Sequence, residues 1–229
     1  MAETPIYELS GVSVEYPLPT TREETVIGLR DVTLTVPGTG LTVLAGPSGS
    51  GKSTLLRVLS LFQVPTRGRM SFRGTPVSPA PRHRRLLRRD AISLVFQTPL
   101  DNLVPYLSVA DNLHAAAQSV NRQCDPEELL ERLGLGGLDR SRITALSGGQ
   151  QQRLAFACAL ARRTPVVLAD EPTSQLDDAS ADRVLDALTV LCSEGVAVVV
   201  ASHDERLITR GFRVVRLRAG RVSVEEDVA

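Results

Sequence analysis

The sequence is poor in several residues that mark particular classes of protein. It has no tryptophan, and aromatic residues make up 3% of it. Its three cysteines, Cys124, Cys158 and Cys192, are scattered. They offer neither a disulfide framework nor a zinc motif, so they read as reduced thiols of a cytosolic protein. No apolar run approaches the roughly 18 residues of a membrane span. The longest clean one, Val196 to Ala201, has the length of a strand. Met1-Ala2-Glu3-Thr4-Pro5 has neither the basic nor the apolar region of a signal peptide. Acidic and basic residues balance at 26 each, so no overall field draws the chain to nucleic acid or anionic lipid. Lysine is nearly absent: 25 of the 26 basic residues are arginine, and Lys52 is the single lysine. What remains, 229 residues with 42% hydrophobic content, suffices for one domain, or one core with a lobe, around a sizeable buried core.

The lone lysine stands in Gly46-Pro47-Ser48-Gly49-Ser50-Gly51-Lys52-Ser53-Thr54, which fits the phosphate-loop pattern G-x-x-x-x-G-K-[ST]. The apolar run Leu41 to Ala45 before it reads as a buried strand. The segment after it, with Leu55, Leu59 and Phe62 on one face, reads as a helix. Glycines let the backbone N–H groups curl toward phosphates, and the helix N-terminus adds a positive dipole end. Lys52 can reach β- and γ-phosphates, and the Ser53 hydroxyl can ligate magnesium. Arginine is a poor substitute there, because a wide planar fork does not fit among phosphate oxygens. A Gly/Ser-rich turn with a chance lysine is the bland alternative.

Along the chain, residues 6–16 read as one or two strands, and 20–24 as a hairpin or loop. Arg30 to Val36 alternates as a strand ending at Pro37-Gly38. An antiparallel β layer thus precedes the loop. Tyr16 is either a core aromatic or a platform for a nucleotide base. Pro65 to Gly68 ends the first helix, and a strand and turn follow at 70–74. Arg82 to Arg89 places five arginines in eight residues. A solvated amphipathic helix is the plain reading of this run; contact with lipid headgroups or an acidic partner is the sharper one. A strand ends at Gln97. The segment 98–145 turns helical, with Asp125-Pro126-Glu127-Glu128 opening one helix well and Gly134 stopping it. Leu146-Ser147-Gly148-Gly149-Gln150 then leads into a helix expected at 151–163, a second anion site with exposed N–H donors. Asp170 and Glu171 follow a buried strand, at the carboxyl end where such sheets bind ligands. Another strand ends in Ser202-His203-Asp204, before a last helix and two strands.

This order of features resembles the ATP-binding-cassette (ABC) ATPase family over nearly the whole chain. The matching elements are the phosphate loop, Gln97 after a strand, the signature Leu146 to Gln150, Leu168-Ala169-Asp170-Glu171-Pro172-Thr173, Ser174 to Asp177, and His203. Asp-Glu-Pro-Thr, Asn102 to Pro105 and a long Tyr16–Leu29 hairpin resemble the macrolide-efflux and lipoprotein-releasing branch. The resemblance implies an α/β P-loop NTPase core of RecA-like type, with an antiparallel β subdomain and an inserted α-helical subdomain. The whole of 1–229 would be one nucleotide-binding domain, its helical part at about 98–150. The implied cofactors are ATP and Mg2+. Tyr16 would stack on adenine, while Gly46, Pro47, Ser48, Gly49, Ser50, Gly51, Lys52, Ser53 and Thr54 hold phosphates. Ser53, Gln97 and Asp170 would serve the metal. Glu171 would be general base, Gln97 would touch magnesium or the attacking water, and His203 would contact the γ-phosphate. Ser147, Gly148, Gly149 and Gln150 would close over ATP held by a second copy, head to tail.

The resemblance also implies a separate integral membrane permease as partner and a place on the cytoplasmic face of the membrane. An ABC ATPase driving a mechanical or regulatory change in a membrane partner is the alternative. Nucleic acid is not expected as a partner, since neither tandem cassettes nor a basic face is present. Two positions depart from the family pattern. Cys158 stands where arginine is frequent, and Gln175 where asparagine or alanine is. No catalytic position is degenerate, so turnover is expected.

Overall fold

Valine-rich runs assemble side by side in the structure, a computed structural model that describes residues 4–17, 25–211 and 213–227. In chain order, β1 (Tyr7–Pro17), β2 (Thr25–Val36) and β3 (Gly40–Ala45) precede α1 (Lys52–Leu59). Next come β4 (Arg67–Phe72), β5 (Thr75–Pro76), α2 (Pro81–Ala91) and β6 (Ile92–Val95). Two helices, α3 (Val109–Gln118) and α4 (Pro126–Arg132), lead to α5 (Gly148–Arg162) and β7 (Val166–Asp170). The chain continues through α6 (Asp178–Ser193), β8 (Ala197–Ser202), α7 (Glu205–Arg210), β9 (Arg213–Arg218) and β10 (Arg221–Asp227). The expected loop at 20–24 lies outside the described residues.

Two sheets form. One has the order β2-β1-β4-β5 and is antiparallel; the other has the order β10-β9-β3-β8-β7-β6. From β9 to β6 the second sheet is parallel, and only β10 runs against its neighbour. A parallel sheet needs both faces covered, which is why its central strands β3, β7 and β8 are nearly continuous apolar runs. Alternate residues supply two separate cores. Leu44, Leu168, Val199 and Ala201 join α1 and the antiparallel sheet, while Val43, Val167, Ala169, Val198 and Val200 join α5 and α6. Helix α5 is buried around most of its girth, with every residue from Gln152 to Ala161 inside.

Three local expectations shift. Helix α1 ends at Leu59, short of Pro65, because Leu61 adopts a left-handed φ of 61°. Phe62 therefore leaves the buried face and is 58% exposed. Helix α5 starts at Gly148, three residues before the expected 151. The reason is a capping box: Ser147 Oγ accepts from the Gln150 amide at 3.3 Å, and Gln150 Oε1 accepts from the Ser147 amide at 2.8 Å. The S-x-x-Q pattern signals this in the sequence.

Helix α4 keeps the cap expected for it, Asp125 Oδ1 accepting from Glu127 and Glu128. Its other end is closed from a distance. Arg153, 5% exposed on α5, donates to the carbonyls of Leu133 (2.9 Å) and Gly134 (2.6 Å). Those are charge-assisted bonds to terminal carbonyls that lack helical partners. Replacing Arg153 with alanine is expected to lower unfolding stability by about 2 kcal/mol, since both carbonyls lose their donor. Urea unfolding of the variant against the parent chain measures it.

Candidate functional site

Polar residues meet where the parallel strands end. Gly46 follows β3, Asp170 closes β7 and Glu171 follows it, Ser202 closes β8 and His203 follows it, and Gln97 lies two residues beyond β6. The phosphate loop bends over this edge under tight limits. Gly46 has φ 150°, and a Cβ there would come within 2.4 Å of the Leu217 carbonyl oxygen. At Gly51, φ is 108° and a Cβ would stand 2.8 Å from the Gly28 carbonyl. The turn between β9 and β10 clamps the loop from outside, the Gly220 amide donating to the Ser50 carbonyl at 2.9 Å.

Lys52 reaches back along the loop. Its Nζ donates to the carbonyls of Gly46 (2.8 Å) and Pro47 (3.3 Å) and lies 3.9 Å from Glu171 Oε1. Glu171 is held at both oxygens: His203 Nδ1 is 3.0 Å from Oε1, and the buried Ser202 hydroxyl donates to Oε2 at 3.2 Å. Its backbone is left-handed, φ 45°, an uncommon conformation for a side chain other than glycine. Gln97 is tied to the same turn: its Nε2 donates to Ser174 Oγ at 3.1 Å, which donates to the Glu171 carbonyl at 2.8 Å. Behind it, Thr173 donates to Asp204 at 2.9 Å, and Arg206 bridges Asp204 and Asp178.

Ser53 Oγ lies 3.5 Å from Asp170 Oδ1. Burial, and secondarily the charge of Glu171, pushes the Asp170 carboxyl above the usual carboxylate range, against the opposing pull of its Ser53 bond. Tyr16 packs across Gly28 and beside Thr54, where a Cβ on Gly28 would meet its ring at 2.7 Å. These residues fit a phosphorylated ligand and a hard divalent cation. Among the described residues the buried Ser50 hydroxyl has no partner and no side chain caps α1, so its first amides are open donors. A serine hydroxyl beside one carboxylate is a magnesium-type donor pair, and among the described residues no cluster of three carboxylate, imidazole or thiolate groups competes with it.

Lys52, Ser53, Gln97, Asp170, Glu171 and His203 are thus brought to one edge, with Thr54 on the first turn of α1 and Tyr16 beside it. The signature Ser147 to Gln150 is not joined to them. Among the described residues no hydrogen bond or ion pair links it to the phosphate loop; Gly149 instead packs on Ser180, and a Cβ there would lie 2.8 Å from that side chain. The sequence reading quoted Thr173 and Ser174 only as motif members and gave no role to them, to Ser202, or to Asp204 and Arg206. Ser202 and Asp204 were visible only as neighbours of His203.

A doubly wound parallel sheet with this loop at its carboxyl edge defines a P-loop nucleotide-binding protein. The ABC transporter family model matches residues 29–174. The chain is 41% identical to the lipoprotein-releasing system ATP-binding protein LolD of Novosphingobium aromaticivorans, over 86% of this chain and 90% of that one. It is 37% identical to the macrolide export ATP-binding/permease protein MacB of Sodalis glossinidius, over 96% of this chain but only 34% of that longer protein. Among solved structures, the ATP-binding cassette MJ0796, a dimer in a post-hydrolysis state bound to ADP and Pi, superposes with a TM-score of 0.83 at 31% identity, covering 97% of this chain and 99% of that one. The chain belongs to the ABC transporter family, as a nucleotide-binding ATPase cassette.

Asp170 carries a stability test. Its folded carboxyl titrates above the unfolded value, so the charged form disfavours folding. Its contribution to stability is greatest below the unfolded pKa of ~3.9 and is lost as pH rises through the folded value. Asp170→Asn is expected to raise the thermal midpoint of the nucleotide-free chain by a few degrees at pH 7, and that gain should vanish near pH 3.5. Thermal melts at the two pH values check both parts.

Proposed function

We propose that the chain is the ATP-hydrolysing subunit of a membrane transporter, working as two copies that close head to tail on ATP and drive a separate permease from the cytoplasmic face. The observation that carries this is the separation of the two anion sites. Gly148 and Gly149 present orphan amides at the start of α5, unconnected to the phosphate loop. A second copy supplies what one chain leaves apart. The printed names of the LolD and MacB relatives, and the dimeric ADP-bound cassette, support the same reading. Among the described residues no helix is long and apolar enough to cross a membrane, which suits a partner that does.

In this reading Tyr16 stacks on the adenine, and the loop amides with Lys52 grip the phosphates. Ser53 and Asp170 hold Mg2+, which supplies neutralisation of phosphate charge. Glu171 takes a proton from the attacking water as general base. Ser202 and His203 fix the direction of that carboxylate, and His203, 74% exposed at the side chain, faces the γ-phosphate. Gln97 senses the partner. It begins a loop laid down by two asparagines, Asn102 bonding Phe96 and Leu94, and buried Asn112 bonding Val104 and Ser108. That loop and α3 border a groove of about 250 Å³ lined by Leu94, Asn102, Val104, Ala116, Cys158 and Arg162. Leu100 and Tyr106 stand exposed on the same loop. This is the dock we assign to the permease, and the helical segment at about 98–150 is the subdomain that carries it. Cys158 belongs there as a packing residue, since burial pushes its thiol up to about 12 and keeps it protonated.

Glu171→Gln is expected to slow ATP hydrolysis at least 100-fold while ATP still holds a stable dimer, read by phosphate release and gel filtration. Captured from detergent-solubilised membranes with ATP, that variant should bring down a polytopic permease; a purely soluble partner set would overturn the transporter reading and leave the ATPase intact. Ser147→Arg should leave nucleotide affinity near that of the parent chain yet block dimer closure and turnover. Unchanged ATPase activity in that variant would count against a composite site.

A further inference from the structure

Helix α2 splits its five arginines into two sets. Arg84 and Arg88 turn inward, and each donates to the Leu61 carbonyl, at 2.9 and 2.8 Å. That carbonyl lies just past the end of α1, so the two guanidiniums fasten α2 to the helix that carries the phosphate loop. Arg88 also covers the Phe62 ring, 4.6 Å from its centroid. Arg82, Arg85 and Arg89 are exposed and share one stripe with Leu86, at i, i+3, i+4 and i+7. Arg89 is paired with Asp90, whereas Arg82 and Arg85 have no acidic partner among the described residues. The stripe comes with uncovered apolar surface: Leu86 is 52% exposed on it. A neutral chain thus carries a local stripe of three exposed arginines with one large apolar side chain, Leu86, among them.

We propose that this face of α2 rests on anionic phospholipid headgroups. Planar guanidiniums match phosphate oxygens in a two-point fork. Leu86 would enter the headgroup–acyl boundary, as the apolar side of an interfacial helix does. A nucleic acid would satisfy the arginines and leave Leu86 in water, and an acidic protein partner is distinguished by capture in detergent. Position favours the bilayer too. Arg162, which lines the groove assigned to the permease, donates to the Arg89 carbonyl at 2.7 Å, so α2 borders that dock. The inference rests on the proposed membrane partner for its orientation, but its test needs no partner.

The purified full chain is mixed with vesicles of phosphatidylcholine alone or with added phosphatidylglycerol, and floated on a density gradient. We expect flotation with the anionic vesicles only, lost at 1 M salt as screening shortens to about 3 Å. Arg82→Gln with Arg85→Gln should weaken vesicle affinity by on the order of thirty-fold at unchanged ATPase rate, which also shows that the variant folds. Leu86→Ser should weaken it without altering the salt dependence. Flotation that fails in the parent chain, persists in the double variant or ignores salt overturns the inference. So does loss of permease capture in detergent by the double variant when vesicle binding is absent, which would assign the patch to an acidic protein partner. If vesicles bind and no permease is captured, the transporter reading falls and the lipid surface stands.

Discussion

Lys52 confronts the molecule with a demanding electrostatic problem. An ammonium that is 8% exposed needs partners for its charge and its protons, or burial costs more than the fold can supply. Two loop carbonyls and the nearby Glu171 carboxylate meet that need. The arrangement holds only if the loop curls tightly enough to aim its own carbonyls inward. That curl requires the glycines at 46 and 51, whose Cβ atoms would strike the Leu217 and Gly28 carbonyls. It also requires the β9–β10 turn, which holds the loop through Gly220. A C-terminal hairpin far away in sequence therefore helps shape the site that the early loop announces.

The acid opposite Lys52 is constrained just as closely. Glu171 sits at a left-handed φ that costs roughly 1–3 kcal/mol. The strain persists because neighbours overdetermine it. Its amide bonds the Ala201 carbonyl, its carboxylate meets Ser202 and His203, and its carbonyl accepts from Ser174. Gln97 extends the last bond to the end of β6, so a displacement of the loop after that strand would be felt at the Glu171 backbone. The Thr173–Asp204–Arg206 group ties the segments after β7 and β8 into one unit behind it.

Helix α5 joins the remaining parts. Its fifteen residues span roughly 22 Å. At one end the capping box fixes the signature turn; near the middle Arg153 closes α4; at the other end Cys158 and Arg162 line the groove beside α2. A helix buried along most of its girth thus holds the signature and the groove at its two ends. The small thiol at 158 fits this packed helix without asking for a charge partner.

The sequence alone determined the chemistry and the order of the elements. A lone lysine in a glycine loop, a strand ending in Asp-Glu and a serine–glycine turn opening a helix are local patterns, and local backbone rules make them legible. Element type followed for the same reason, from period and caps. The sequence could not say where α1 stops, because a left-handed Leu61 and two arginines from α2 decide that. Nor could it assign Ser174, Ser202 or Arg153, whose partners lie 3 to 31 residues away. Ser202 and Asp204 differ little from any strand-end polar residues until β7 and β8 pair and set them beside the turn at 171–173. Only the tertiary structure split the arginine run into two anchors and an exposed stripe. Charge runs look alike in sequence, and what distinguishes their members is which carbonyls and rings the rest of the fold brings within reach.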